Sequence, residues 1–281
     1  MKKPVLIVNE NLLMPIRATE SRIGEIKKEV CLTSNPVIQN GLFLMAVSYI
    51  ESMQKEVLKY YLKYDPQRIP SKKTIEINKN TLAENEDFRL IESLVSEYID
   101  KMPYWQFMKI FYETLKIQKP GNVQAVEGIK ERRNELIHDN MQVDFKQKSV
   151  THKYVDSDYL AYSLDEYGKY LDSLKLEIYR RYGKCTRINA LNSLWHYTFR
   201  TPLCAKFEDY WHIDMQSDSI AGYKIPDYEN SLSHSEKFML GIWRSQVADY
   251  KVDFINMASL GQHMQSCIYM FLKLSNDIFM Y

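Results

Sequence analysis

The chain has 281 residues, enough for one large domain or two small ones. Hydrophobic residues make up 45% and charged residues 26%, close to globular averages, which excludes a disordered polyelectrolyte and a collagen-like fibre. Lys plus Arg number 37 against 36 Asp plus Glu, so no global field draws the protein onto nucleic acid or lipid. Nine Gly and nine Pro leave few breaks and favour long helices over many short strands, while 21 Tyr suit half-buried seams with one polar end. The four cysteines, Cys31, Cys185, Cys204 and Cys267, show no CxxC spacing and no zinc-finger His interval, so they read as reduced thiols in packed positions. The apolar run Val5 to Val8 is too short for a signal peptide. The longest uncharged stretches, Cys31 to Ile50 and Phe254 to Leu272, are broken by Asn, Gln, Ser and Gly and do not read as membrane spans. The expectation is a cytoplasmic, reducing location with no membrane partner.

In chain order, a charged helical stretch is expected around Ser21 to Val30. Ser34-Asn35-Pro36 then offers an N-cap and a first-turn Pro. The following stripe, Leu42, Met45, Ala46, Tyr49, Ile50, Met53, Val57 and Tyr60, is helical and wide enough to be buried on more than one side. It fades near Asp65-Pro66. Residues 65–86 are polar, with a weak strand pattern at Thr74 to Ile77. Further helices are predicted from Asp87 to Asp100, from Pro103 to before Pro120-Gly121, and from Asn122 to Asn140. A polar link follows from Gln142 to Asp156, then a long helix from Tyr159 to Tyr182, with Gly183 where a left-handed cap would fall. Gly183-Lys184-Cys185 is the expected domain boundary, dividing residues 1–183 from 184–281. Beyond it, helical pattern covers Arg187 to Phe199 and Leu203 to Trp211, with a looser segment from His212 to Leu232. Ser233-His234-Ser235-Glu236 forms a capping box for a helix to about Tyr250. Asp253 opens a last helix carrying Phe254, Met257, Leu260, Met264, Ile268 and Phe271. The expected fold class is all-α.

The helix from Asn122 to Asn140 holds Glu131-Arg132-Arg133-Asn134-Glu135-Leu136-Ile137-His138-Asp139. An Arg followed by a polar residue and, four positions later, a His resembles the signature of the HEPN superfamily, an all-helical group with many RNA-cleaving toxins and defence proteins. Arg133, Asn134 and His138 match that pattern position by position. The helix order before and after the motif also resembles the HEPN core over roughly residues 20–183, followed by a helical extension. The resemblance implies a metal-independent RNA endonuclease, acting as a toxin or in antiviral abortive infection, with Arg133 and His138 as catalytic residues. It also implies a homodimer whose two motifs share one cleft, an RNA substrate, products with a 2′,3′-cyclic phosphate and a 5′-hydroxyl, and no cofactor. Some HEPN toxins carry a Tyr two places after the motif His that a partner enzyme modifies; here that place is Asn140, which argues against such a partner. An antitoxin or other regulatory protein remains an expected class of partner.

The chemistry needs these side chains. A His of near-neutral pKa can take a proton from a 2′-hydroxyl or return one. An Arg can hold phosphate oxygens bidentately and stabilise developing charge. On a helix, Asn134 and His138 point within about 40° of each other, whereas Arg133 and His138 diverge by about 140°. One chain alone is therefore poorly arranged to use both, and a two-fold dimer resolves this. Glu51, in the first long helix, either orients Arg133 or His138 or lies on a solvated edge. Asp139 either orients His138 or ends the helix in solvent. Lys109 to Lys153 holds nine Lys and Arg against six Asp and Glu, including Lys130 and Arg132 as RNA-binding candidates, and reads as a phosphate-tracking groove or a solvated face. No carboxylate cluster points to a metal.

Trp195-His196-Tyr197 and Tyr210-Trp211-His212 read as core aromatics or, alternatively, as base-stacking platforms. Residues 184–281 hold nine basic and ten acidic residues and several Met, which suits packing or partner contact better than phosphate binding. The alternative to the nuclease is a non-catalytic HEPN module that binds nucleotide or protein and uses Arg133 as an anion contact. A helical scaffold without a site is a third reading.

Overall fold

The computed structural model describes residues 6–69, 88–138, 141–144, 149–152, 154–199, 211–214, 219–223, 232–246 and 251–279. The fold is all-α. Nine α-helices are described: α1 (Asn9–Val30), α2 (Pro36–Tyr64), α3 (Phe88–Asp100), α4 (Tyr104–Leu115), α5 (Val123–His138), α6 (Ser157–Tyr182), α7 (Arg187–Phe199), α8 (His234–Ser245) and α9 (Gln262–Phe279). Among the described residues, β structure is confined to two antiparallel hairpins. Met141–Asp144 (β1) pairs with Ser149–His152 (β2), and Trp211–Asp214 (β3) pairs with Ser219–Tyr223 (β4). None of the described helices is long and apolar enough to cross a membrane. The chain divides into two compact units. One is Asn11–Arg181; the other joins the stretch ending at Glu10 to the chain from Tyr182 onward.

In the first unit α2 is the central helix. The Asn35 side chain accepts from the Val37 amide at 2.9 Å, and Pro36 fills the first turn, where its missing N–H costs nothing. Phe43, Ala46, Val47, Ile50, Met53, Val57, Leu58 and Tyr61 are all buried, on more than one side of the helix. Gln54 lies fully buried among them. A buried amide without a partner is costly, and this one donates to Tyr170 Oη on α6 at 2.7 Å. Tyr170 Oη in turn lies 2.9 Å from Tyr112 Oη on α4. These bonds tie α2, α4 and α6 at one level of the core.

Polar contacts also set helix direction. Gln39 bonds Ser157 at 2.9 Å and Gln54 bonds Tyr170, so α2 and α6 run parallel. Asn122, just before α5, donates to the Glu166 carboxylate and carbonyl, while Arg132 and Glu135 act electrostatically on Tyr159. Helix α5 therefore runs antiparallel to α6, and its C-terminal end lies beside the start of α6.

In the second unit, α7 and α9 close around Trp195, Phe199 and Phe271, with ring centroids 4.3 to 5.6 Å apart. Trp195 is core, not a platform for bases. Ser233 and Glu236 form the full capping box at the start of α8. The Asn9 amide donates to the Cys185 carbonyl at 2.8 Å, joining the chain start to this unit.

Several boundaries differ from the sequence reading. Helix α1 begins at Asn9, twelve residues before Ser21, and carries Pro15 inside it. Burial of Leu12, Leu13 and Ile16 holds the turns that the Pro would otherwise end. The link after α5 contains the β1–β2 hairpin, and Trp211 opens strand β3 instead of closing a helix. Strands of four or five residues are too short to give a readable alternation. No described Gly has a positive φ; Gly183 makes an ordinary turn, and the left-handed cap is Lys116, φ 52°, at the end of α4. Helix α8 stops at Ser245. Asp253 opens only a 3₁₀ segment, Phe254–Ser259, because the chain extends at Leu260 before Gly261, and α9 starts anew at Gln262. Cys31 is exposed, not packed. The strand pattern at Thr74 to Ile77 and the thiol of Cys204 lie outside the described residues.

Candidate functional site

Helix α5 buries Val126, Ile129 and Leu136. Arg133 falls on that same stripe, four residues after Ile129 and three before Leu136, so the helical period directs it toward the core. Its Nε is fully enclosed and has no hydrogen-bond partner. Its Nη1 donates to Asn134 Oδ1 at 3.0 Å. His138 is the last residue of α5 and is exposed. Arg133 and His138 are thus on one helix but face different surroundings, and no hydrogen bond joins them. Asp139 lies outside the described residues.

Among the described residues Glu51 forms no ion pair with Arg133 or His138. Its Oε1 lies 2.5 Å from Lys130 Nζ, one turn before Arg133. The same ammonium sits 2.8 Å from the centroid of the Tyr104 ring. A lysine held by a carboxylate and an aromatic face gains both Coulomb and cation–π attraction. Burial nevertheless lowers the Lys130 pKa below its usual value; Glu51 opposes this, and the charges of Arg133 and Lys55 add to it. Lys130 is therefore a half-buried ion-pair partner, unlike Arg132, which makes a more exposed pair with Glu135 at 2.9 Å.

Behind this pair is a tyrosine cluster. Burial pushes the hydroxyls of Tyr104, Tyr112 and Tyr167 well above the ordinary phenol value, and that of Tyr170 up to about 12. Arg133 opposes the shift at Tyr167, which places its charge within electrostatic reach of α6. Glu51, Lys55, Met102, Tyr104, Phe107 and Lys130 line a pocket of about 140 Å³. The pairing of Glu51 with Lys130 and the exposure of Trp105 were not singled out from sequence. The available signal was Glu51 and Gln54 interrupting an apolar stripe one turn apart.

Among the described residues no group of His, Cys, Asp and Glu could hold a metal ion. His196 is exposed on α7; the side chain of His212 lies outside the described residues. No protein-family model, curated protein or solved structure matches this chain.

Proposed function

We propose that the protein is a metal-independent endoribonuclease of the HEPN type, completed by a homodimer and serving as a toxin or antiviral effector under the control of a regulatory protein. The observation that supports this most is the arrangement on α5: Arg133 has donors to spare beyond its bond to Asn134, and His138 stands exposed at the helix end. In the dimer, the motif helices lie near a two-fold axis and one shared cleft receives side chains from both copies. A 2′-hydroxyl attacks the adjacent phosphorus, the bond to the 5′-oxygen breaks, and a 2′,3′-cyclic phosphate forms. His138 accepts the 2′ proton and returns a proton to the leaving 5′-oxygen. Arg133 holds the non-bridging phosphate oxygens as charge builds on them.

The second reading, a non-catalytic module, draws on the inward placement of Arg133 and its enclosed Nε. Incubating purified protein with RNA in the presence of EDTA separates the two. The nuclease produces cyclic-phosphate and 5′-hydroxyl ends that disappear with His138→Ala; the binding module leaves the RNA intact.

A further inference from the structure

Trp105, second residue of α4, is 74% exposed, an unusual position for the largest aromatic side chain. Its neighbour Tyr104 forms the wall of the 140 Å³ pocket and carries Lys130 on its ring. Lys130 lies one turn from Arg133 on α5, so the residue before Trp105 joins α4 to the motif helix. Lys109, four residues after Trp105 and on the same helical face, is exposed and makes no ion pair among the described residues. Lys55 lines the pocket from α2 and pairs with Asp100 at 3.3 Å.

From these observations we propose that Trp105 is a stacking platform for a base of single-stranded RNA, with Lys109 on the adjoining phosphate. The proposal deepens the ribonuclease reading by naming where the substrate strand lies, and it rests on that reading for its biological purpose. A protein partner would be favoured by a contiguous apolar patch. Trp105 instead stands among Lys101, Pro103, Gln106 and Lys109, of which Lys101, Pro103 and Lys109 are exposed. An exposed indole with an exposed lysine one turn along the helix suits a base and its phosphate: every base has a π-face, and a cation beside it meets the backbone charge.

The test measures binding of a fluorescein-labelled 2′-O-methyl oligouridylate, which lacks the attacking hydroxyl and cannot be cleaved. Trp105→Ala should weaken binding by about 5- to 150-fold, while Trp105→Phe keeps most of it. Lys109→Ala should reduce the slope of log affinity against log salt by about 0.7, one single-strand phosphate contact, whereas Trp105→Ala leaves that slope unchanged. Circular dichroism confirms that each variant is folded. Equal binding by wild type and Trp105→Ala overturns the proposal, as does an absence of binding by wild type. A change in oligomeric state in Trp105→Ala with unaltered RNA affinity also overturns it, and assigns the face to protein contact. Failure of the nuclease reading appears separately, as intact natural RNA in the cleavage assay, and leaves this binding result standing.

Discussion

Glu51 on α2 and Lys130 on α5 meet at 2.5 Å, and the lysine's ammonium lies over the face of Tyr104 on α4. Three helices are thereby joined one turn from Arg133. The side chains of Lys130 and Glu51 are only 13% and 23% exposed, so the pair works in a partly dry setting where the loss of one partner leaves a poorly solvated charge.

Glu51→Gln should therefore destabilise the protein by about 1–3 kcal/mol in urea unfolding. Lys130→Met alone should also destabilise, and the double variant should lose less than the sum, because neither charge is then left unpaired. Strict additivity in the double-mutant cycle would show that the contact contributes no coupling.

His138→Ala should lower RNA cleavage by at least about 10²-fold, the usual scale for a lost proton-transfer group, with little change in stability because His138 is exposed. Arg133→Ala should abolish cleavage as well. Single-turnover cleavage beside thermal unfolding measures both, and wild-type-like cleavage by either folded variant contradicts the catalytic assignment.

Inactive variants should complement each other. If one cleft draws on both chains, mixing Arg133→Ala with His138→Ala under conditions that exchange subunits should restore part of the activity. Light scattering at micromolar concentration should give a dimer. A fully active monomer would remove the need for a shared cleft.

Alkaline titration should report the tyrosine cluster. Tyr104, Tyr112, Tyr167 and Tyr170 have folded-state pKa values raised above 10.0, Tyr170 to about 12, with burial as the first cause. Above pH 10 the unfolded chain loses these protons while the native chain keeps them, so the stability they contribute is present below pH 10 and lost as pH rises toward about 12. Lys130 acts in the opposite sense: its lowered pKa makes the native state hold fewer protons just below 10.5, where stability rises with pH. Urea midpoints measured through this range should fall above pH 10, and tyrosinate absorbance should appear in two stages, exposed rings first.

The second unit should contribute no proton-transfer group. His196→Gln and His212→Gln should each cleave RNA within about tenfold of wild type, since loss of a true general acid or base costs about 10²- to 10⁴-fold. A thousandfold loss at unchanged thermal stability would move the site into this unit.

What the sequence by itself determined is local. Asn35 and Pro36 mark the start of α2, Ser233 and Glu236 mark the start of α8, and Asp65-Pro66 closes α2, because caps and Pro act on backbone groups within a few residues. The divergence of Arg133 and His138 was equally legible, since it follows from 3.6 residues per turn, and Arg133 indeed lies on the stripe of Ile129 and Leu136 with His138 exposed. The tertiary structure alone decided which charges meet. Helical period places Glu51 on an edge of α2 but leaves its partner open; the depth and register at which α5 packs bring Lys130 to it instead of Arg133. In the other unit, packing of α7 against α9 sends Trp195 into the core, whereas Trp105 on α4 stays exposed, although both are aromatic residues on amphipathic helices. Contacts between helices depend on rotation and offset set by the whole core, here pinned by Gln54, Tyr170 and Tyr112, and no window of sequence contains all three.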